Sequence, residues 1–495
     1  MTQATSSFPP GPPAAVIPLH LVLATPAKVL CSAVFLSGRA LTEATQNSGL
    51  HALFVHHLHD VLLDLLDVQV DEAARELSVS VELTESNVER IVAGYRRYYE
   101  DFEADWDKEK ARLVLEGRVT RTARFLGDQG SIILPMEAQA LGFTPVRVES
   151  RLPAAETQDW PMGDRLTSPH HSSSLDRQAL SSAVDVAFED PAAFTAAVAV
   201  VHNGELVAER YRQGVDMNTQ LESWSMGKSL TATLVGVLVQ QGLLSLDQPA
   251  PVKEWQHQGD PRAAITIRDL LQMSGGLRFS GQDDPRRDWR LGVPDHLYIY
   301  SDAVDAFQFA VNREAEFSPG TVGRYLNCDP LTLGYIVKQT VTETLGEEYL
   351  TWPQSALFDR IGIRRQVLET DWYGNFLLTG FDYGTARNWA RLGLLYLQDG
   401  VWEGHRVLPE GWSDFVSAPA PGWSEPKYGG QFWLNGIGEF TLPESAYMMA
   451  GFGEQRVFVV ASHELVIVRM GHRADTDATR ESTNAMLTAV MDTFA

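Results

Sequence analysis

The 495-residue chain predicts an α+β fold, with an antiparallel sheet flanked by helices and an N-terminal extension ahead of it. Two stretches carry this reading. "AAVAVVHNGELVAERY" is a pair of alternating apolar runs joined by Asn203-Gly204, the dipeptide that type I′ hairpins prefer. "RVFVVASHELVIVRMG" repeats the pattern near the C-terminus, and the helical segments between the two show none of the regular strand-helix-strand alternation of a parallel sheet. The content of 44% hydrophobic and 21% charged residues is that of a globular chain, long enough for two domains or for one large domain with an extension.

In chain order, "MTQATSSFPPGPP" is rich in Pro, Ser and Thr and is expected to be a disordered lead-in over 1–13. The apolar run "AAVIPLHLVLATPAKVLCSAVFL" is broken by Pro18, His20, Pro26 and Lys28 and lacks a basic leader. It is therefore expected to be a buried strand pair, neither a secretory signal nor a membrane span. A cytoplasmic location is the default, with a periplasmic or envelope one left open. His51, His56, His57 and His59 lack a second ligand cluster, so they are expected on a helix surface. "ELSVSVEL" alternates as a half-buried strand does. The charged, periodic stretch from Glu85 to Arg118 predicts one amphipathic helix capped by Ser86 or Asn87.

The extension is thus expected to be α+β over 14–153. A polar, Pro- and Ser-rich linker follows over 154–175, and the main domain runs over 176–495.

Charge narrows the partners. A net charge of -24 would repel a phosphate backbone or an anionic membrane over most of the surface. A small-molecule substrate fits better, with no nucleic acid and no stable membrane span; the sequence leaves the oligomeric state open. The two cysteines, Cys31 and Cys328, have neither zinc-like nor redox spacing, and no cofactor or metal is expected.

The chemistry concentrates in "LESWSMGKSLTATLVGVLVQQGLLSLD". Gly227-Lys228-Ser229 resembles the end of a phosphate loop, but that loop needs its first glycine where Glu222 stands. A G-x-S-x-G elbow fails likewise, because Ser223 takes the place of its first glycine. Ser225-x-x-Lys228 survives both tests. Residues three apart share one face of a helix, so Lys228 can reach the Ser225 hydroxyl, and a lysine desolvated by burial can take the serine proton. A hundred residues on, Tyr325-Leu326-Asn327 follows a Pro319-Gly320 turn.

S-x-x-K followed by Y-x-N after "PGT" resembles the serine β-lactamase-related hydrolases. That family takes in cephalosporinase-type β-lactamases, D-Ala-D-Ala carboxypeptidases, esterases and aminohexanoate-oligomer hydrolases. "IRDLLQMSGGLRF", "ARLGLLYLQDGVWEGHRVLPEGW", "YGGQFWLN" and "GFGEQRVFVVASHELVIVRMG" are similar to successive landmarks of its esterase and amide-hydrolase branch, so the likeness spans about 176–471. The resemblance implies a β-lactamase/transpeptidase-like fold with a helical subdomain. It also implies a serine hydrolase that cleaves an ester or amide through an acyl-enzyme. Ser225 would be the nucleophile, Lys228 its partner and Tyr325 the proton shuttle. Asn327 would orient Lys228 or the substrate carbonyl, and Trp224 would wall the substrate or pack.

The resemblance breaks at the third landmark. "ESAYMMAGFGEQRVFVV" has no Lys or His where penicillin-recognising members carry Lys-Thr-Gly or His-x-Gly. Gly451 and Gly453 instead suggest a close backbone approach, with the N–H groups of Ser225 and Phe452 as an oxyanion hole. The family's G-G-Q is here Gly453-Glu454-Gln455. Other readings stay open: a β-lactamase or D-amino-acid peptidase, or a noncatalytic penicillin-binding-like module. Ser274-Gly275-Gly276 is expected to turn the chain between helices beside the pocket, and "DDPRRDWRLGVPDHLYIY" to form a lid or a solvated connector.

Overall fold

The computed structural model describes residues 17–49, 52, 58–98, 104–137, 139–166, 175–281, 293–472 and 476–494. The lead-in, His51, His56, His57, residues 167–174 of the expected linker and the first ten residues of the charged loop from Asp283 lie outside these.

The N-terminal unit begins with helix α1 (Ala24–Phe35). Its sheet is formed by β1 (Leu66–Asp71), β2 (Glu76–Glu82), β3 (Arg118–Phe125) and β4 (Ser131–Ile133), antiparallel and in that order. Helices α2 (Glu85–Tyr98) and α3 (Trp106–Glu116) connect β2 to β3.

Three local expectations are corrected here. The apolar run at the N-terminus forms helix, with a single turn over Leu19–Val22 ahead of α1, rather than a strand pair. A run this rich in apolar residues has no clear period that separates a buried helix from a buried strand. Pro26 does not disrupt α1 because it sits in the first turn, where backbone N–H groups have no helical partner. The expected single helix from Glu85 is two helices, the second capped by the Asp105 side chain on the Lys108 N–H at 3.0 Å. At the start of α2, the Thr84 hydroxyl accepts the Asn87 N–H at 3.2 Å, so Thr84 occupies the capping position expected for Ser86 or Asn87.

α1 is buried from Ala24 to Ala33, its polar Thr25, Lys28 and Ser32 included. Its Ala27, Leu30 and Cys31 face the N-terminal core, and Val29 joins the core of the main domain.

In the main domain, helix α4 (Arg177–Asp185) precedes β5 (Thr195–His202) and β6 (Glu205–Tyr211). Asn203 and Gly204 between them have φ of 51° and 81°, as the expected turn demands. Helices α5 (Met226–Gln240), α6 (Asp295–Ser301), α7 (Cys328–Gln339) and α8 (Ala386–Leu397) follow. Strands β7 (Trp433–Leu434), β8 (Tyr447–Gly451), β9 (Gln455–Val460) and β10 (Leu465–Gly471) lead to the last helix, α9 (Asp477–Asp492).

The main sheet is antiparallel in the order β7-β8-β9-β10-β5-β6, so the first and last hairpins meet at the β10–β5 pairing. Its two faces are both covered. Val198 and Val200 of β5 pack with Leu180 of α4 and Met486 and Leu487 of α9, whereas Ala197, Ala199 and Val201 face the core that contains α5 and α8. This alternation within an uninterrupted apolar strand is the period of two of a sheet buried on both sides.

Residues 154–166 are held against the main domain by arginines. Arg391 donates to the Pro161 and Gly163 carbonyls and to Asp164, Arg387 to the Asp164 carbonyl, and Arg364 to the Met162 carbonyl.

Candidate active site

Ser225 stands at the N-terminus of α5, whose residues Met226 to Leu238 are all buried. The preceding residue, Trp224, has φ of 50°, in the left-handed region that bulky side chains avoid. Its ring is held between Phe381 and Phe452, with centroids 5.5 and 5.7 Å away. This strained turn joins the strand pairing of Leu221–Glu222 with Tyr383–Gly384 to the first turn of α5.

Lys228 lies one turn further on and is 1% exposed. Its Nζ is 2.9 Å from Ser225 Oγ and donates to the Thr379 carbonyl at 2.6 Å. The Ser225 hydroxyl is 3.3 Å from the same carbonyl. Burial holds Lys228 well below the ordinary range of an ammonium group. That depression favours the neutral amine, the form able to accept a proton from a neighbouring hydroxyl.

Tyr325 presents its ring to this pair, with the Lys228 Nζ 4.9 Å from the ring centroid. Trp433 and Tyr428 pack against it, at centroid distances of 5.1 and 5.9 Å. Asn327, at the N-terminus of α7, is fully buried and donates to the His296 carbonyl at 2.8 Å; its Oδ1 makes no hydrogen bond. Asn327 thus bonds to the start of α6.

Strand β8 closes the other side. A Cβ on Gly451 would overlap the Ser223 carbonyl oxygen and come within 3.1 Å of Ser225 N, so only glycine permits this approach. Phe452 follows at the tip of the β8–β9 hairpin, and Gly453 has φ of 81°. Glu454 interrupts the G-G-Q pattern yet adopts a φ of 57°. Its carboxylate is fixed there by Arg456 at 2.9 Å and Arg480 at 2.6 Å.

Ser225, Tyr325, Thr379, Gly451 and Phe452 line a cavity of about 430 Å³. Trp224, Tyr300, Tyr325, Trp433, Phe440 and Phe452 form aromatic walls, and Glu439, Arg456 and Arg480 line the cavity too. The predicted Ser225, Lys228, Tyr325, Trp224, Gly451 and Phe452 thus meet in one place. Ser274-Gly275-Gly276 turns the chain after Ile267–Leu271, with Gly276 at φ of 78°, and the Gly275 N–H donates to buried Asp329 at 2.9 Å.

Sequence reasoning missed Thr379, His296 and Tyr300. Thr379 lies in an unremarkable "LLTGFDYG", and His296 and Tyr300 lie in the stretch read as lid or connector. No local pattern marks any of them. His296 lines the cavity with its Nδ1 unpartnered, and burial pushes it down to about 3, which keeps the imidazole neutral. Among the described residues, no group of three or more His, Cys, Asp or Glu side chains is placed to hold a metal.

The family model described as Beta-lactamase matches residues 181–490. A 6-aminohexanoate-dimer hydrolase of Paenarthrobacter ureafaciens is 25% identical over 237 residues, which is 45% of this chain and 57% of that protein's own length. An uncharacterized protein of Alkalihalophilus pseudofirmus is 23% identical over 309 residues, covering 55% of this chain and 82% of that one. Among solved structures, a Bacillus anthracis protein with the provisional description 6-aminohexanoate-dimer hydrolase superposes with a TM-score of 0.51 at 21% identity, covering 66% of this chain and 87% of that one. This likeness extends to the fold, an antiparallel sheet covered by helices on both faces. The family match takes in the Ser225 turn, the Tyr325 segment and the β8–β9 hairpin, and the chain belongs to the Beta-lactamase family of hydrolases.

Proposed function

We propose that the protein is a serine hydrolase that cleaves an ester or amide bond in a small substrate through an acyl-enzyme intermediate. One observation carries the reading: a buried lysine whose Nζ lies 2.9 Å from a serine oxygen at the floor of a cavity. Lys228, its pKa lowered by burial, accepts the Ser225 proton in its amine form as Oγ adds to the substrate carbonyl. The N–H groups of Ser225 and Phe452 meet the developing oxyanion, a role supported by the close approach of Gly451 to Ser225 N. Tyr325 passes the proton on to the leaving oxygen or nitrogen, and the bond from that atom to the carbonyl carbon breaks. Water then adds to the acyl carbon, giving its proton back through the same groups, and Ser225 is released.

The aromatic walls favour an acyl or leaving group with apolar surface. The family relative that acts on a 6-aminohexanoate dimer makes linear amides a rational first amide screen, alongside short-chain esters.

Intact-mass spectrometry after treatment with a fluorophosphonate tests the reading. The expected result is a single adduct on the wild-type chain and none on Ser225→Ala. An unlabelled wild type, or equal labelling of both proteins, would overturn it.

A further inference from the structure

The Thr379 carbonyl aligns both members of the serine–lysine pair, and its own position depends on the segment from Glu369 to Phe381. That segment is bonded back on itself. The Leu377 N–H donates to the Glu369 carbonyl at 2.8 Å, the Glu369 N–H to the Phe381 carbonyl at 3.1 Å, and the Phe381 N–H to the Leu377 carbonyl at 2.8 Å.

The segment is anchored by the fully buried Glu369 carboxylate, and the cation that meets it comes from another part of the chain. Lys28, on α1, places its Nζ 2.8 Å from Glu369 Oε2, with both side chains almost completely withdrawn from solvent. Glu369 Oε1 accepts the Ser131 N–H at 2.9 Å and the Ser32 hydroxyl, and the Lys28 ammonium also donates to the Ser131 carbonyl. The same ammonium lies 4.9 Å from the ring centroid of Phe381. That ring packs on Trp224, beside the nucleophile, and on Tyr300 in the cavity wall, at 5.5 and 5.0 Å.

The N-terminal unit grips the other arm of the site too. Ser37 donates to the Gln220 carbonyl at 2.6 Å, Ser48 to Glu222 at 2.7 Å, and Thr25 to the Tyr300 carbonyl at 3.2 Å.

We propose that Lys28 is a positioning residue for the Ser225–Lys228 pair, acting through Glu369 and Phe381 on the Thr379 carbonyl. The N-terminal unit is then a working part of the hydrolase and not an appendage. This inference rests on the acyl-enzyme reading above. Without its cation, Glu369 would carry an uncompensated buried charge and the segment would shift, moving the one acceptor that Lys228 and Ser225 share. The titratable groups that face Lys28 are Glu369 and the Cys31 thiol, with Asp382, Tyr383 and Glu222 beyond Glu369.

The test uses the full chain as wild type, Lys28→Met, Glu369→Gln and the double variant. The rate of fluorophosphonate labelling at Ser225 is followed against pH, below each variant's unfolding temperature. Each single variant is expected to label about tenfold more slowly or worse, with its pH midpoint displaced, and the double variant no more slowly than the slower single. Folded variants that label at the wild-type rate and midpoint overturn the inference, whatever happens to their melting temperatures. If a single variant does not fold, the double variant, which removes both charges, is judged by the same two readouts. A folded wild type that takes no label overturns the acyl-enzyme reading and this inference with it. Labelled wild type with unaffected variants overturns this inference alone.

Discussion

Lys228 Nζ and Ser225 Oγ stand 2.9 Å apart across the first turn of a helix that is buried almost from end to end. Burial depresses the lysine, as the proposed transfer of the serine proton requires, because an exposed lysine would stay protonated at neutral pH.

The labelling rate of the wild-type protein is therefore expected to rise with pH through the depressed pKa of Lys228 and then level off. The base form exists only above that pKa, so the limb lies on the acid side. Lys228→Arg, which stays charged, should lose about a hundredfold or more in rate together with this limb. A wild-type-like pH profile in the arginine variant would remove Lys228 from the role of base.

Gly451→Ala inserts a methyl group into the Ser223 carbonyl oxygen and crowds Ser225 N. The strand must retreat from the nucleophile, and displacement of an oxyanion donor is worth about a hundredfold in rate. The expected outcome is a folded protein whose turnover falls to about that extent or further. Circular dichroism and single-turnover acylation, measured together, separate this from simple unfolding.

Asp329 gives a test of stability rather than rate. Its buried carboxyl is pushed up to about 7 by desolvation, from 3.8 in the unfolded chain. The folded protein therefore holds a proton that the unfolded chain releases as pH rises from about 4 to 7, so stability declines across that window. Asp329→Asn keeps an oxygen for the Gly275 N–H and cannot ionise. Its melting temperature should fall less than the wild type's between pH 4.5 and 7.5, by an amount set by about 1.4 kcal/mol per unit of pKa difference. Parallel melting curves against pH would show that Asp329 ionises freely in the fold.

Nitrocefin should be turned over poorly, at about a hundredth or less of the kcat/KM for a good short-chain ester. The strand beside the nucleophile offers no lysine or histidine for a β-lactam carboxylate. The nearby Arg456 is already engaged by Glu454 and by the Gly451 and Gln455 carbonyls. Rapid nitrocefin hydrolysis in a steady-state assay would restore the β-lactamase reading.

Some of this was legible before any coordinates. The Asn203-Gly204 hairpin follows from two residues that tolerate positive φ between alternating apolar runs. The Ser225–Lys228 contact follows from a spacing of three on one helix. Tyr325, Gly451 and Phe452 were legible as landmarks in order, and they do line the same cavity as Ser225. In the N-terminal run, composition marked burial correctly but could not tell helix from strand, since the few polar residues between Ala24 and Ala33 set no clear period.

The amino-acid sequence by itself therefore determined the paired chemical groups and the hairpins that frame them, because both are set by contacts a few residues apart. Only the tertiary structure decided that the Thr379 carbonyl aligns the pair and that His296 lines the cavity as a neutral imidazole. It alone decided that Lys28, some two hundred residues before the nucleophile, neutralises the carboxylate beneath the Thr379 segment. Those relationships depend on how separately coded layers stack. An ion pair between Lys28 and Glu369 leaves no periodicity in either local sequence; it exists because stacking removes both charges from water, and each then requires the other.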